Sequence, residues 1–507
     1  MNQTIIKQLK SARQVSTPLV AIQTSDPGAT VESICTQVND SSCKIEWDIC
    51  RGMRARGGSA KEFIKKAGEF DPTQGNPIAL LDLLVNMPDG AMVFVHLAHR
   101  FMAGQDCDRF VQALWNARDE CKQTQKMVVL LGCNFTLPPE IVGDVLLIDE
   151  PLPHADDLRE IVENNVKLFK NEGVIGDDIK IDVDKAVEAI QGLAVFTADQ
   201  TVAISMSKAG LDLDALWEEK RKKIEQTPGL KCYREGVKFD DIGGVENIKQ
   251  FLGRVLKGND RPNAVVFIDE IEKIMGGSRG DSSGVSQDQL GTILSYMEDE
   301  GAVGMIFIGP PGSAKSMVAK AAGTEGGVPT IQLDLGACKG SLVGESERQL
   351  RSALKVVTSV SNGKSLWIAT CNSIGDLPPE LRRRFKLGTF FFDLPSKKER
   401  DVIWKMYEKK YKVNRKASPN DTDWTGAEIA QCCEVAWRLD CSVLEASEYV
   451  VPVAVSAAKQ IARLRGQSDG RFISASYKGV YKMNEEDKAV VTAHKPRKGL
   501  RKLNHSN

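Results

Sequence analysis

The chain has 507 residues, with 67 lysines and arginines against 68 aspartates and glutamates. That length is too great for one hydrophobic core and suits two to four structural units, while the balanced charge sets up no global field for nucleic acid or an anionic membrane. Twelve cysteines form no CxxC pair and no zinc-site spacing with histidine, so they read as buried or free thiols of a reducing compartment. The N-terminal MNQTIIKQLKSARQ lacks the apolar core of a signal peptide and no run reaches membrane-spanning length, which predicts a cytoplasmic protein without membrane association.

Residues 1–154 carry strand-like runs at 19–23, 44–49, 91–97, 127–131 and 145–148, separated by charged, helix-prone segments. That alternation predicts an α/β unit with a mainly parallel sheet. The loop after its first strand, TSDPGATVES at 24–33, contains no lysine. His96 and His99 stand without carboxylates or cysteines at ligand spacing and read as packed or surface histidines. Residues 155–226 turn helical and read as a small cap.

After a linker comes DDIGGVENIKQFL, and then AVVFIDE at 264–270, an apolar strand ending in two carboxylates. A glycine and serine loop at 276–284 and a helix lead to MIFIGPPGSAKS at 305–316. An apolar strand breaking into a Gly-Pro turn before a helix is the pattern of a phosphate-binding loop, where backbone amides cradle phosphate, a lysine meets its charge and a hydroxyl meets Mg²⁺. Gly309, Gly312, Lys315 and Ser316 supply these parts, but Ala314 stands where glycine is expected and adds a Cβ near the phosphates. Beside such a loop, Asp269 holds the Mg²⁺ shell through water and Glu270 polarises the attacking water. Later come VPTIQLDL, VGESE, SLWIATCNS, the arginine cluster LRRRF and the strand GTFFFDLP. Helices at 397–413 and 426–440 then form a second cap, and the tail beyond Asp487 has six basic residues and no acid, as a disordered segment would.

The two halves parallel each other. AMVFVHL at 91–97 matches AVVFIDE with His96 and Leu97 in place of the carboxylates, and GCNFTLPPE from Gly132 matches TCNSIGDLPPE from Thr370. The shared landmarks in the same order point to a duplication whose first copy has lost its chemistry.

Taken together, IGG, GPPGSAKS, FIDE, VGESE, TCN, LPPELRRRF and TGAEI resemble an AAA ATPase, closest to the chloroplast and cyanobacterial reading-frame AAA ATPases with a degenerate N-terminal half. The resemblance implies an α/β fold of two tandem AAA-like modules, each a parallel sheet sandwiched by helices with a small helical cap. Its divisions are a degenerate α/β domain at 1–154, a cap at 155–226, the ATPase core at 227–395, a helical lid at 396–470 and a basic tail at 471–507. It implies ATP and Mg²⁺ as cofactors, held by Gly309, Pro310, Pro311, Gly312, Ser313, Ala314, Lys315, Ser316 and Met317. Ile242 and Gly243 would lie beside the adenine, and Gly426 and Ala427 where the lid meets the nucleotide. Asn372 would be the sensor that orients water, and Arg383 and Arg384 the fingers that reach the γ-phosphate of an adjacent subunit, so hydrolysis would need a homo-oligomer, a ring of six.

Two further departures accompany Ala314. The carboxylate strand precedes the phosphate loop, so the core is permuted; either the same site is built from the shuffled chain, the moved segment is exchanged between subunits, or the unit is inactive. Leu342 replaces the aromatic that grips a threaded polypeptide, which favours local remodelling of an unidentified protein client over processive unfolding. The leading expectation is therefore a Mg-ATP hydrolase that remodels a protein, and the alternative is an ATP-binding, oligomerising scaffold with negligible turnover. Nucleic acid is suggested by the basic tail at 488–502 alone, which lacks interleaved aromatics and reads as a solvated appendage.

Overall fold

The computed structural model describes residues 3–38, 41–67, 73–103, 107–176, 178–233, 236–272, 285–338, 345–374, 379–415 and 417–483. It divides the chain at Lys220 and Arg221. The division falls inside the helix Leu213–Glu225, and Ile224 at the end of that helix packs into the core of the second unit.

In the first unit β1 (Leu19–Gln23), β2 (Lys44–Asp48), β3 (Gly52–Gly57), β4 (Met92–Val95), β5 (Met127–Gly132) and β6 (Val145–Asp149) form a sheet ordered β3-β2-β4-β5-β1-β6. All pairings are parallel except the β2–β3 hairpin. The central strands are apolar throughout because helices cover both faces. Val20, Ile22, Phe94 and Val129 pack with Leu9 and Val31 on one face, and Leu19, Ala21, Val93 and Val128 pack with Phe110 and Leu114 on the other. The cap holds the helices Ala155–Asn171, Val183–Ile190 and Val195–Ile204, a short hairpin of β7 (Met206–Ser207) and β8 (Gly210–Leu211), and the start of Leu213–Glu225. Leu158, Val162, Ile190, Val202 and Leu216 form its core.

Strand β3, GMRARG, alternates only Met53 and Ala55 with its arginines and was not expected from sequence. It forms because Arg54 and Arg56 reach across the hairpin to Glu46, whose side chain is 3% exposed in the middle of β2. His96, which follows β4 on the neighbouring strand, places Nε2 2.7 Å from Glu46 Oε1. His96 therefore does have a carboxylate partner, fifty residues away in sequence and adjacent in the sheet, and the contact is an internal ion-pair network. No group of residues suited to a metal ion occurs among the described residues.

In the second unit β9 (Leu230–Tyr233), β10 (Ala264–Ile268), β11 (Val303–Ile308), β12 (Thr330–Leu333), β13 (Ser365–Cys371), β14 (Thr389–Phe391) and β15 (Ile473–Ser474) form a sheet ordered β15-β14-β11-β13-β10-β12-β9. Only β9 runs antiparallel. The helices Glu246–Lys257 and Lys315–Gly326 cover one face through Ile248, Leu252, Val318 and Ala322. Val285–Asp299 and Glu345–Ser361 cover the other through Ile293, Met297, Leu350 and Val357. Although β10 precedes β11 in the chain, it lies within its own chain's sheet between β13 and β12, in register with both.

Residues 471–483, expected to belong to a disordered tail, are ordered. Ile473 and Ser474 pair with Phe390 and Phe391 of β14, and Tyr481 donates to Asp393 at 2.6 Å. Leu342, the loop at 276–284 and the basic residues beyond 483 lie outside the described residues. Among the described residues no helix is long and apolar enough to cross a membrane. All twelve cysteines are free thiols.

Burial by itself raises the Glu46 carboxyl, but Arg56, His96 and Arg54 more than offset it and hold the group below the ordinary value of 4.5. A carboxylate depressed in the folded state contributes stability that is complete above the ordinary value and is lost as the pH falls below it and through the lowered folded value. Glu46→Gln should cost about 2 kcal/mol at pH 7, where both arginines keep part of their solvation. Denaturant titrations of both proteins should converge as the pH falls below 4.5.

Candidate active site

Between β11 and the helix Lys315–Gly326 the backbone curls through Gly309, Pro310, Pro311, Gly312, Ser313 and Ala314. A Cβ on Gly309 would lie 2.1 Å from the Phe392 carbonyl oxygen, and Gly312, at φ 78°, abuts Thr425. No side chain caps the helix, so its first amides are left for an incoming anion. Lys315 is 5% exposed, and its Nζ donates to the carbonyls of Gly309 at 2.8 Å and Pro310 at 2.7 Å. Burial pulls its pKa down to about 8. Ala314 sits at φ 66° and ψ 10°, the left-handed region, so its departure from glycine carries backbone strain of about 1 kcal/mol in addition to its extra atom.

The carboxylates arrive from β10 and are fastened to the end of β13. Asp269 Oδ1 accepts from Ser316 Oγ at 2.7 Å and from Thr370 Oγ1 at 2.6 Å. Glu270 turns the chain at φ 50°, and its amide donates to Thr370 Oγ1 at 2.9 Å. Asn372 Nδ2 donates to Glu270 Oε1 at 3.2 Å, and the Asn372 amide donates to Glu272 Oε1 at 3.0 Å. The second Glu272 oxygen is buried and has no partner among the described residues.

On the opposite side lie Ile242 and Gly243, the latter so close to the lid that a Cβ would come within 2.4 Å of Ile403 Cγ1. Gly426 and Ala427 begin the helix Gly426–Leu439 under a Thr425–Glu428 capping box. Glu399 joins three segments, accepting from the amides of Val245 at 3.2 Å and Ser396 at 2.8 Å and from the Ser476 hydroxyl. Burial would raise its carboxyl, but these donors leave it lowered.

These walls enclose a cavity of about 270 Å³. Ile242, Gly243, Asp269, Glu270, Pro311 through Met317, Asn372, Gly426 and Ala427 line it. Gly309 and Pro310 stand behind its wall and meet it through Lys315. Arg383 and Arg384 do not line it: both are on the helix Pro379–Arg384, Arg383 is exposed, and Arg384 is paired with Glu298 of its own chain. Thr370, Asp393, Glu399, Tyr407 and Ser476 also line the cavity and were not singled out from sequence. The strand ends TCN and FFFD were the available signals for Thr370 and Asp393, whereas nothing local marks Glu399 or Ser476.

The first unit is different at the matching place. Asp26 caps the helix Pro27–Gln37 by accepting from the Ala29 amide at 3.1 Å, and its other oxygen accepts from the Phe196 amide of the cap, also at 3.1 Å. Thr30 donates to Glu150 at 2.6 Å, and burial pushes the Glu150 carboxyl up. The space left there is about 30 Å³, and three carboxylates, Asp26, Glu150 and Asp157, line it in place of a lysine.

A glycine-turned loop and lysine at the end of one parallel strand, facing an acidic pair and an asparagine from the strands beside it, form the arrangement that suits a phosphate-binding loop. Comparison with known proteins carries this further. The model of the AAA family, ATPases associated with various cellular activities, matches residues 305–363, and that of the N-terminal domain of SpoVK-like AAA ATPases matches residues 5–150. The chain is 23% identical over 453 residues to the uncharacterized AAA domain-containing protein ycf46 of Guillardia theta, covering 77% of this chain and 81% of that protein. It is equally similar, 23% over 529 residues, to the protein of the same name from Pyropia yezoensis, covering 90% and 96%. The matched AAA segment thus contains the loop and its lysine, and the likeness to the ycf46 proteins spans both units.

Two substitutions test these local geometries. Ala314→Gly should stabilise the nucleotide-free protein by about 0.5 kcal/mol in denaturant titration, the relief of left-handed strain less the added chain entropy of glycine. Asp26→Ala should cost about 1 to 2 kcal/mol, since it uncaps one helix and frees a second amide, and should increase hydrogen exchange at Phe196.

Proposed function

We propose that this protein hydrolyses Mg-ATP as a homo-oligomer and uses the closure of its lid to remodel a protein partner. The observation that carries the reading is the joint attachment of Ser316, Asp269, Glu270 and Asn372, which brings a metal-facing hydroxyl, a carboxylate, a base and its orienting amide into one cavity. The residues suit the nucleotide and its metal: the helix has free amides, Lys315 is desolvated, and among the described residues Asp269 Oδ2 makes no hydrogen bond. Bound Mg²⁺ would neutralise charge on the phosphates. Lys315 then exchanges the Gly309 and Pro310 carbonyls for phosphate oxygens, Glu270 takes the proton of the attacking water, and Asn372 holds Glu270 in position. Ile242 and Gly243 flank the base, and Gly426 and Ala427 couple the lid to the loop.

The exposed Arg383, remote from its own cavity, supports a finger acting on a neighbouring subunit in a ring of six. Arg384, held by Glu298, acts as its brace or is released on assembly. The order of β10 and β11 supports a permuted core, and the matching sheet order of the first unit supports a degenerate tandem module whose nucleotide place is filled by Asp26. A soluble, cytoplasmic setting and a protein client complete the reading.

ATP turnover measured against protein concentration tests it. Turnover should rise cooperatively and fall at least about 100-fold in Glu270→Gln. A mixture of Glu270→Gln and Arg383→Ala subunits should recover part of the activity that each lacks alone. Equal, negligible turnover in the unaltered protein and Glu270→Gln, with ATP still bound, would leave the scaffold.

A further inference from the structure

We propose that Thr370 is a positioning residue of this site, whose hydroxyl aligns the Asp269 carboxylate and the Glu270 turn as one rigid group. The inference rests on the ATPase reading and adds a residue to it. Thr370 is fully buried near the end of β13, the strand between β10 and β11. A hydroxyl offers one proton and two lone pairs, and both functions are used: Oγ1 donates to Asp269 Oδ1 at 2.6 Å and accepts the Glu270 amide at 2.9 Å. Ser316 donates to the same Oδ1 at 2.7 Å. Two hydroxyls on one oxygen fix the carboxylate rotamer and turn Oδ2, which has no hydrogen bond among the described residues, toward the cavity.

The Glu270 backbone is fastened to the same residue. Its φ of 50° is strained for a side chain that is not glycine, and the turn is held by Thr370 twice, through Oγ1 and through the carbonyl that accepts the Ile271 amide at 3.0 Å. The first unit provides the contrast. Leu97 makes the same turn at φ 51°, but the residue matching Thr370 in the GCN and TCN segments is Gly132, where a Cβ would lie 2.5 Å from His99 Nδ1. The hydroxyl is present where the carboxylates are present and missing where they are missing.

Thr370→Val keeps the volume and removes the hydroxyl, and Thr370→Ser restores it. The readings are denaturant stability, affinity for a fluorescent ATP analogue in EDTA and in Mg²⁺, and steady-state kcat and KM. For Thr370→Val the affinity in EDTA should stay within about twofold, while the gain in affinity on adding Mg²⁺ shrinks at least about fivefold. Its kcat should fall about 100-fold with KM little changed, the scale of losing one oriented hydrogen bond in an active site, and Thr370→Ser should recover most of it. An unchanged Mg²⁺ gain and kcat in Thr370→Val, or an equal loss of affinity in EDTA and in Mg²⁺, would overturn the proposal. If Thr370→Val does not fold, Thr370→Ala takes the same readings. If the unaltered protein shows no turnover, the ATPase reading fails by itself and the Mg²⁺ arm alone decides Thr370.

Discussion

Ser316 and Asp269 follow strands that are not neighbours, yet they share a hydrogen bond of 2.7 Å. β11 and β10 flank β13, so their axes are about 10 Å apart, and that gap must be bridged at the ends of the strands. β13 bridges it. Thr370 near its end and Asn372 just beyond it contact the turn after β10 through Asp269, Glu270, Ile271 and Glu272, and Ser316 closes the group from the side of the loop. The arrangement is indifferent to the order in which the strands leave the ribosome. Parallel strands pair by register and return over a face of the sheet, so a carboxylate strand that precedes the loop strand in the chain still takes its place between β13 and β12.

The two sheets also show what becomes of polar groups when a site is absent. In the second unit the polar atoms at the strand ends point into a cavity and satisfy one another, with Lys315 held by loop carbonyls. In the first unit the corresponding positions are consumed internally. Asp26 takes the amides that a phosphate would take, and His96 turns to Glu46 and its two arginines. Buried polar groups have to find partners, and with no carboxylate pair at this strand end these are the partners in reach. The first unit is thereby tied to its cap by a side chain, whereas the lid of the second faces its loop across the cavity.

Strands such as FIDE and MIFIGPPG are legible because burial on both faces forces a continuous apolar run, and the turn into a helix demands glycines in sequence. The capping signals of Ser396 and Thr425 were equally local, each with a glutamate three residues on. Other parts carried no such mark. β3 depends on a cross-strand carboxylate, β15 on the free edge of β14, and Glu399 on three segments drawn from distant parts of the chain. The backbone of Ala314 is another case, because a glycine replaced by alanine announces a missing hydrogen and gives no torsion angle.

Contiguous residues thus specify the loop, the acidic strand end and the helices that flank them, since turn geometry and the period of burial are properties of short segments. Their assembly into one cavity depends on strand neighbours a hundred residues apart, as Thr370 is from Glu270, and such pairings leave no trace in spacing. Folding selected β13 as the neighbour of both β10 and β11, and with it the hydroxyl that aligns the carboxylates, because hydrogen-bond register and the packing of both faces are satisfied only when the whole sheet is in place.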